Sequence, residues 1–499
     1  MVLYLYSDLC KNVIEVENMF SELKIDYSRS ISTQIQKYIK EMILKRIIAG
    51  GEKLPSTREL MSILNVSRNS IISAYENLKD EGLIYSIKGK GTFVSKVKTN
   101  CAHDEDIKWN EMINDFAQKA EELDIMKHHE NSPKASISFK SIAPDGSLFD
   151  VEEFKKDFLN VISRESDKIL NYGYAKGYRH FIEYLMEYMK GKGAITHNKD
   201  ILITNGFTEA FDILLSSLTK PGDKIVCENP THNTAIKLMK LYGLDIHGID
   251  MESDGIDVVK LENEVKKYKF KLAYFIPSYH NPTGIVMSPQ KRLAVLNILG
   301  RYGIPIIEDG FNEELRYSGA HAAPLAALSG EGNNVIYAGS FSKILFPGIR
   351  IGWVFSDSKL INYLESVKRS RNIHTSFLDQ AVLYEYLAEG NFDKYMNRIR
   401  QIYKKRYEFA LKCAKKFIPC KKILGEGGSH LFIETNNIDS RKLLENCSKK
   451  GVSFMEGHIF YTDEKGKNSF RIGITKVTEK DIETGFKIIG EEIQKLEVI

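Results

Sequence analysis

Apolar residues recur at helical spacing near the start of the chain. Ile31, Ile35, Tyr38, Ile39, Met42 and Ile43 fall on one stripe, which predicts an amphipathic helix stopped by Gly50-Gly51. In Leu54-Pro55-Ser56-Thr57-Arg58-Glu59-Leu60, Ser56 followed by Glu59 predicts a capping box at the head of a second helix. That helix buries Leu60, Ile63 and Leu64 and ends at Asn65. Ser67 caps a third, with Ile71, Ile72, Ala74, Tyr75 and Leu78 inward and Gly82 as its stop. The period then changes. Leu83–Ile87 and Thr92–Ser95 read as two strands around the basic turn Lys88-Gly89-Lys90-Gly91.

From residue 137 to 499 the pattern is different. Ile201–Thr204, Lys224–Cys227, Leu272–Ile276, Ile304–Ile307 and Val335–Ala338 are short β-type runs, most of them separated by longer helical stretches. This predicts an α/β domain with a mostly parallel sheet flanked by helices, and ligands beyond the carboxyl ends of the strands. Residues 99–136 are polar and read as a linker, with one weak amphipathic helix around Ile113, Phe116, Ala117 and Ala120. Adjacent His128 and His129 in such a stretch usually ligate nothing, and residues 1–27 remain an unassigned extension.

Composition adds little until its distribution is considered. The 499 residues are 43% hydrophobic and 27% charged, ordinary for a soluble protein of two or three domains. No apolar run approaches the roughly 18 residues of a membrane span, and the start lacks the layout of a secretory signal. Six scattered cysteines without CxxC spacing argue against a zinc site or a disulfide scaffold and fit a reducing cytoplasm. Charge is localised: residues 28–98 carry 13 Lys/Arg against 6 Asp/Glu, whereas the whole chain is only +4. One basic module on a neutral body is the footprint expected for binding DNA.

Three helices and a β-hairpin in this order make a winged helix-turn-helix. The third helix would enter a major groove with Ser67, Arg68, Asn69 and Ser70 at its tip. Arg58 and the wing residues Lys88 and Lys90 would hold phosphates. A helical cap that only packs on the body is the bland alternative. Through LPSTREL, VSRNSI, AYENLKDEGLI and KGKGTF, this segment resembles the GntR-type DNA-binding domain.

The polar residues of the second module lie where its strands end. Gly206-Phe207 opens a helix, so backbone N–H groups there face any anion that approaches. Asp309 ends a buried run, where a carboxylate requires a partner. Lys343 stands in apolar company, which lowers an amine's pKa, and Arg350 offers a fork for phosphate. Singly, each has an ordinary explanation as cap or surface residue.

Together with His280-Asn281-Pro282-Thr283-Gly284, they make residues 137–499 resemble a fold-type I aminotransferase, with a smaller C-terminal α+β subdomain from about 375. The resemblance implies pyridoxal 5'-phosphate (PLP) as cofactor and a homodimer. It implies that Lys343 forms the Schiff base, that Asp309 bonds the pyridine nitrogen, and that Asn281 bonds the phenolic oxygen. Gly206, Phe207, Ser340, Ser342 and Arg350 would surround the phosphate. Tyr172 would reach the phosphate of the neighbouring subunit, and Arg471 would grip a substrate or effector carboxylate.

Two positions depart from the family pattern. His232 replaces the aromatic that stacks on the cofactor and is expected to titrate near neutrality. Phe311 replaces a tyrosine whose hydroxyl tunes the imine. The whole resembles the MocR-type regulators, a GntR reader joined to an aminotransferase-like sensor. The expected function is a PLP-dependent transcription regulator of operator DNA that senses PLP or an amino compound through an aldimine at Lys343. The alternative is an active aminotransferase with an accessory reader.

Overall fold

The computed structural model describes residues 20, 23–96, 107–124, 127, 135–310, 312–317 and 322–497. The chain divides into two compact units, 1–112 and 113–499. His128, His129 and Phe311 lie outside the described residues.

In the first unit, α1 (Ile31–Leu44), α2 (Thr57–Leu64) and α3 (Arg68–Asp80) precede the antiparallel hairpin β1 (Ile84–Ile87) and β2 (Gly91–Val94). The capping box is complete: Glu59 N–H donates to Ser56 Oγ at 3.2 Å and Ser56 N–H to Glu59 Oε2 at 2.6 Å. Helix α1 stops before the glycines, because Arg46 turns left-handed (φ 56°) and Ile48 folds back into the core. Residues 51–54 instead bond to the wing, with Gly51 N–H on Val94 O and Leu54 N–H on Thr92 O, both at 2.9 Å. The core also extends into the unassigned N-terminal stretch. Phe20 is fully buried, its ring 6.2 Å from that of Tyr38, with Leu23 and Ile25 packed beside it.

The second unit opens with α4 (Asp115–Glu122), followed by α5 (Val151–Ile169), β3 (Lys199–Thr204), α6 (Phe207–Leu218), β4 (Lys224–Asn229), α7 (Asn233–Leu241), β5 (Asp245–Glu252) and β6 (Gly255–Ile256). Then come β7 (Leu272–Phe275), β8 (Ile306–Asp309), β9 (Val335–Ser340), β10 (Gly352–Asp357), α8 (Phe377–Ala388) and α9 (Asn391–Phe417). The large sheet runs β3-β10-β9-β8-β7-β4-β5-β6. It is parallel from β9 to β5, and β10 is antiparallel to both its neighbours.

Two strands escape the periodicity argument. β5 is half-buried and polar, and β10 begins in a Gly-Trp pair rather than a β-branched run. Strand β8 starts two residues later than the apolar run, since Pro305 has no N–H to offer the ladder. Asp309 is thereby the strand's own last residue.

The linker is more than a tether. In α4, Phe116 sets its ring 6.3 Å from that of Tyr242, and Asp124 pairs with Lys237 of α7 at 3.5 Å. A second, antiparallel sheet orders β11 (Lys422–Leu424), β12 (His430–Glu434), β14 (Ser469–Gly473) and β13 (Met455–Glu456). Strand 137–138 forms a separate parallel pair with 452–453, and Gly473 N–H of β14 donates to Phe139 O at 2.8 Å, tying the beginning of the module to the smaller sheet. Helix α8 packs with α5 in the large layer, and α9 leads on to the small one.

Candidate active site and DNA interface

The carboxyl ends of β3, β8 and β9 and the loop after β7 converge, and the small sheet adds β14. Asp309 is buried at the end of β8, where Tyr274 OH donates to its Oδ2 at 2.9 Å. Burial, then the neighbouring Asp309, raises the Tyr274 hydroxyl far above its usual range, so it stays a donor. The following Gly310 has no room for a side chain: a Cβ would overlap the Tyr337 hydroxyl. Tyr337 is in turn fixed to Glu313 at 2.5 Å, and Lys192 pairs with Glu314 at 2.7 Å. This buried ionic cluster holds the loop that leaves Asp309.

Lys343 lies just past β9 on a turn closed by Ile344 N–H to Phe341 O at 3.1 Å. Burial lowers its ammonium to about 8, and the charges of Arg471, Arg350 and Lys476 add to this. Arg350 is left-handed (φ 48°), and its Nη2 donates to Asn205 O at 2.8 Å. A Cβ on Gly206, itself at φ 81°, would stand 3.0 Å from that same Nη2. The glycine thus lets the guanidinium sit against the N-terminus of α6, whose first N–H groups have no side-chain cap. Ser342 N–H donates to Ser340 Oγ at 3.2 Å, while the Ser342 hydroxyl is buried with no partner. An orphaned buried hydroxyl, a guanidinium and an uncapped helix N-terminus are the groups that bind a phosphate.

Asn281 is buried in the loop after β7. Arg292 anchors that loop from beneath, donating to Pro277 O at 2.8 Å, Met287 O at 2.9 Å and Ser278 Oγ at 2.9 Å. Arg471, on β14, donates from Nη1 to Asn281 Oδ1 at 2.7 Å and from Nη2 to Lys140 O at 3.1 Å. Its Nε has no partner, and burial lowers its pKa to about 9. The guanidinium lies 4.9 Å from the Phe460 ring centroid.

His232 corrects a sequence expectation. Burial, then the positive charges of Lys343, Arg471 and His280, push its pKa down to about 3. It is a neutral aromatic plate here, 5.6 Å from the Phe207 ring, rather than a group titrating near neutrality.

The fold therefore assembles Lys343, Asp309, Asn281, Gly206, Phe207, His232, Ser340, Ser342, Arg350 and Arg471. Tyr172 stands apart, 83% exposed, with its ring 6.2 Å from that of His374. Tyr274, Arg292 and Lys476 escaped the sequence argument. Tyr274 sits inside an apolar run and reads as core, whereas Lys476 lies five residues after Arg471, a proximity that is a signal in the sequence. These residues suit PLP: an amine of lowered pKa, a buried carboxylate, an amide, and a phosphate cup with an unpaired hydroxyl.

In the first unit Arg58, Arg68, Asn69, Lys88 and Lys90 are all exposed. Ser67 Oγ accepts Ser70 N–H at 3.2 Å, and the two hydroxyls lie 2.9 Å apart. The serines are thus engaged in capping α3, which leaves Arg68 and Asn69 as the free side chains at its tip.

Known proteins resemble both units. The family profile "Aminotransferase class I and II" matches residues 143–489, and "Bacterial regulatory proteins, gntR family" matches residues 31–94. The HTH-type transcriptional regulator YisV of Bacillus subtilis is 28% identical over 93% of this chain and 96% of its own. Aromatic-amino-acid aminotransferase 1 of Thermococcus litoralis is 33% identical over 76% of this chain and 93% of its own. The crystal structure of Pyrococcus horikoshii kynurenine aminotransferase in complex with PMP superposes with a TM-score of 0.74 at 32% identity, covering 78% of this chain and 98% of that one.

Proposed function

The chain belongs to the aminotransferase class I and II family, in the MocR-type arrangement with a gntR-type reader ahead of it, and from this we propose that it is a transcription regulator whose grip on DNA responds to an amino compound met at Lys343. PLP is the cofactor that the family implies. When bound, it supplies an aldehyde that condenses with amines and a pyridinium ring that withdraws electrons.

The chain's residues have separable tasks in this reading. Lys343 offers an amine that is neutral in a large fraction of molecules near pH 8. Asp309, braced by Tyr274, would hold a proton on the pyridine nitrogen. Arg350, Gly206, Phe207, Ser340 and Ser342 bind phosphate. His232 would cover the ring face, and Asn281 would bond the phenolic oxygen. Arg471 orients a carboxylate. The exposed Tyr172 serves the site of a second copy in a homodimer.

One observation carries the proposal: a single chain keeps both a free Arg68-Asn69 tip on α3 and, around the half-buried Lys343, a buried carboxylate at Asp309 and a buried guanidinium at Arg471. The test is fluorescence anisotropy on DNA from upstream of the protein's own gene, with PLP-loaded protein and a panel of amino acids. A coupling of about 1–3 kcal/mol would change the Kd about 5- to 150-fold for the right compound. An unchanged Kd across PLP and the panel would overturn regulation through this site.

A working aminotransferase is the second reading, favoured by the identity to aminotransferases over the whole second unit. Rapid conversion of the bound cofactor to pyridoxamine phosphate by a common amino acid would select it.

A further inference from the structure

We propose that Glu153, Asp157 and Glu389 form a binding site for a hard divalent cation such as calcium. Each offers one carboxylate oxygen, and the three atoms lie within 4.8 Å of one another. Glu153 and Asp157 are one turn apart on α5, so their side chains share a face. Glu389 comes from the turn between α8 and α9.

Clustering of acids on a surface is common and would mean nothing alone. The second observation is the state of Asp157. It is 0% exposed, and neither of its carboxylate oxygens has a hydrogen-bond partner. Asn391, 6% exposed, turns its amide towards Asp157 and favours its charged form slightly, but its nitrogen makes no hydrogen bond of good geometry. A buried carboxylate without a donor or cation is costly. Lys156 approaches the cluster, 3.1 Å from Glu153 Oε1, but it is 59% exposed and satisfies Glu153 rather than Asp157.

All the donors are hard oxygens, which excludes a soft thiolate-type metal and suits calcium or magnesium. Three carboxylates brought from two elements, with water completing the shell, suit calcium's irregular coordination better than the near-ideal octahedron magnesium demands. Neither histidine nor cysteine takes part, so no spacing in the sequence announces the site.

The location gives the cation a mechanical consequence. Glu389 and Asn391 flank Gly390, which is left-handed (φ 72°) and turns the chain from α8 into α9. A bound ion would pin α5 to the junction from which α9 runs to the small sheet.

The experiment is calorimetric titration of chelator-treated, PLP-loaded full-length protein with CaCl2 and separately with MgCl2. The expected result is one calcium site of Kd about 10⁻⁴–10⁻³ M, with magnesium weaker. Glu389→Gln and Asp157→Asn should each weaken calcium at least tenfold. Glu389 is exposed, so its variant keeps the fold and should melt like the parent in chelator. Absence of calcium heat in the parent, parental affinity in both variants, or tighter binding of magnesium than of calcium would each overturn the proposal.

Discussion

Arg471 Nη1 donates to Asn281 Oδ1 at 2.7 Å, joining β14 of the small sheet to the loop that leaves β7 of the large one. A candidate carboxylate clamp and a candidate cofactor ligand are thereby a single unit. Asn281→Ala removes the acceptor and leaves a buried guanidinium short of a partner. We expect a loss of about 1.5–3 kcal/mol in denaturant unfolding of the second unit. A stability equal to the parent's would mean that the bond is not formed in solution.

The amine at Lys343 has a pKa lowered to about 8 by burial and by the cations around it. Only the neutral form attacks an aldehyde, so uptake of PLP should accelerate with pH through about 8 and level off above it. An ordinary lysine would keep accelerating to beyond pH 10. Stopped-flow absorbance of the cofactor band against pH makes the distinction. Lys343→Ala should give no borohydride-fixed label at any pH.

His232 is held neutral, with its pKa near 3. The cofactor spectrum should therefore carry no transition between pH 5 and 7 that His232→Gln removes. Because the folded pKa is depressed, protonation of this imidazole opposes folding. That penalty grows as pH falls below the unfolded value near 6.5. In the parent, part of the acid destabilisation below that point should vanish in His232→Gln, measured by melting temperature against pH.

The DNA contacts divide by kind. Lys88→Ala and Lys90→Ala on the wing should weaken binding to all sequences alike and flatten the plot of log K against log salt by about 0.9 each. Arg68→Ala should instead erase the preference for the operator over random DNA, with the cofactor spectrum unchanged. Equal losses on both DNAs for Arg68→Ala would move that residue from base reading to phosphate binding.

Ser56 caps α2 reciprocally with Glu59. Ser56→Ala should cost the first unit about 1 kcal/mol in thermal or denaturant unfolding. The bonds from Ser56 hold the Glu59 carboxyl below its usual range. This contribution is present above the unfolded carboxylate pKa and is lost as pH falls through the lower, folded one.

Much was legible in the residue order because local physics acts over short spans. The stripe through Ile31 and Ile39, the Ser56–Glu59 pair and the Ser67 cap each determine a helix from a few neighbouring positions, and all three appear. The chemistry-bearing residues at strand ends were legible for the same reason, since Asp309 and Lys343 stand where apolar runs stop. Only the tertiary structure decided what depends on distant segments meeting. The antiparallel placement of β10 beside β3, the bond between Asn281 and Arg471, and the Tyr274 brace on Asp309 each join residues far apart in sequence. So do the depressed pKa of His232 and the orphaned Asp157 carboxylate, because burial and summed charge are properties of an enclosure rather than of a neighbourhood in the chain.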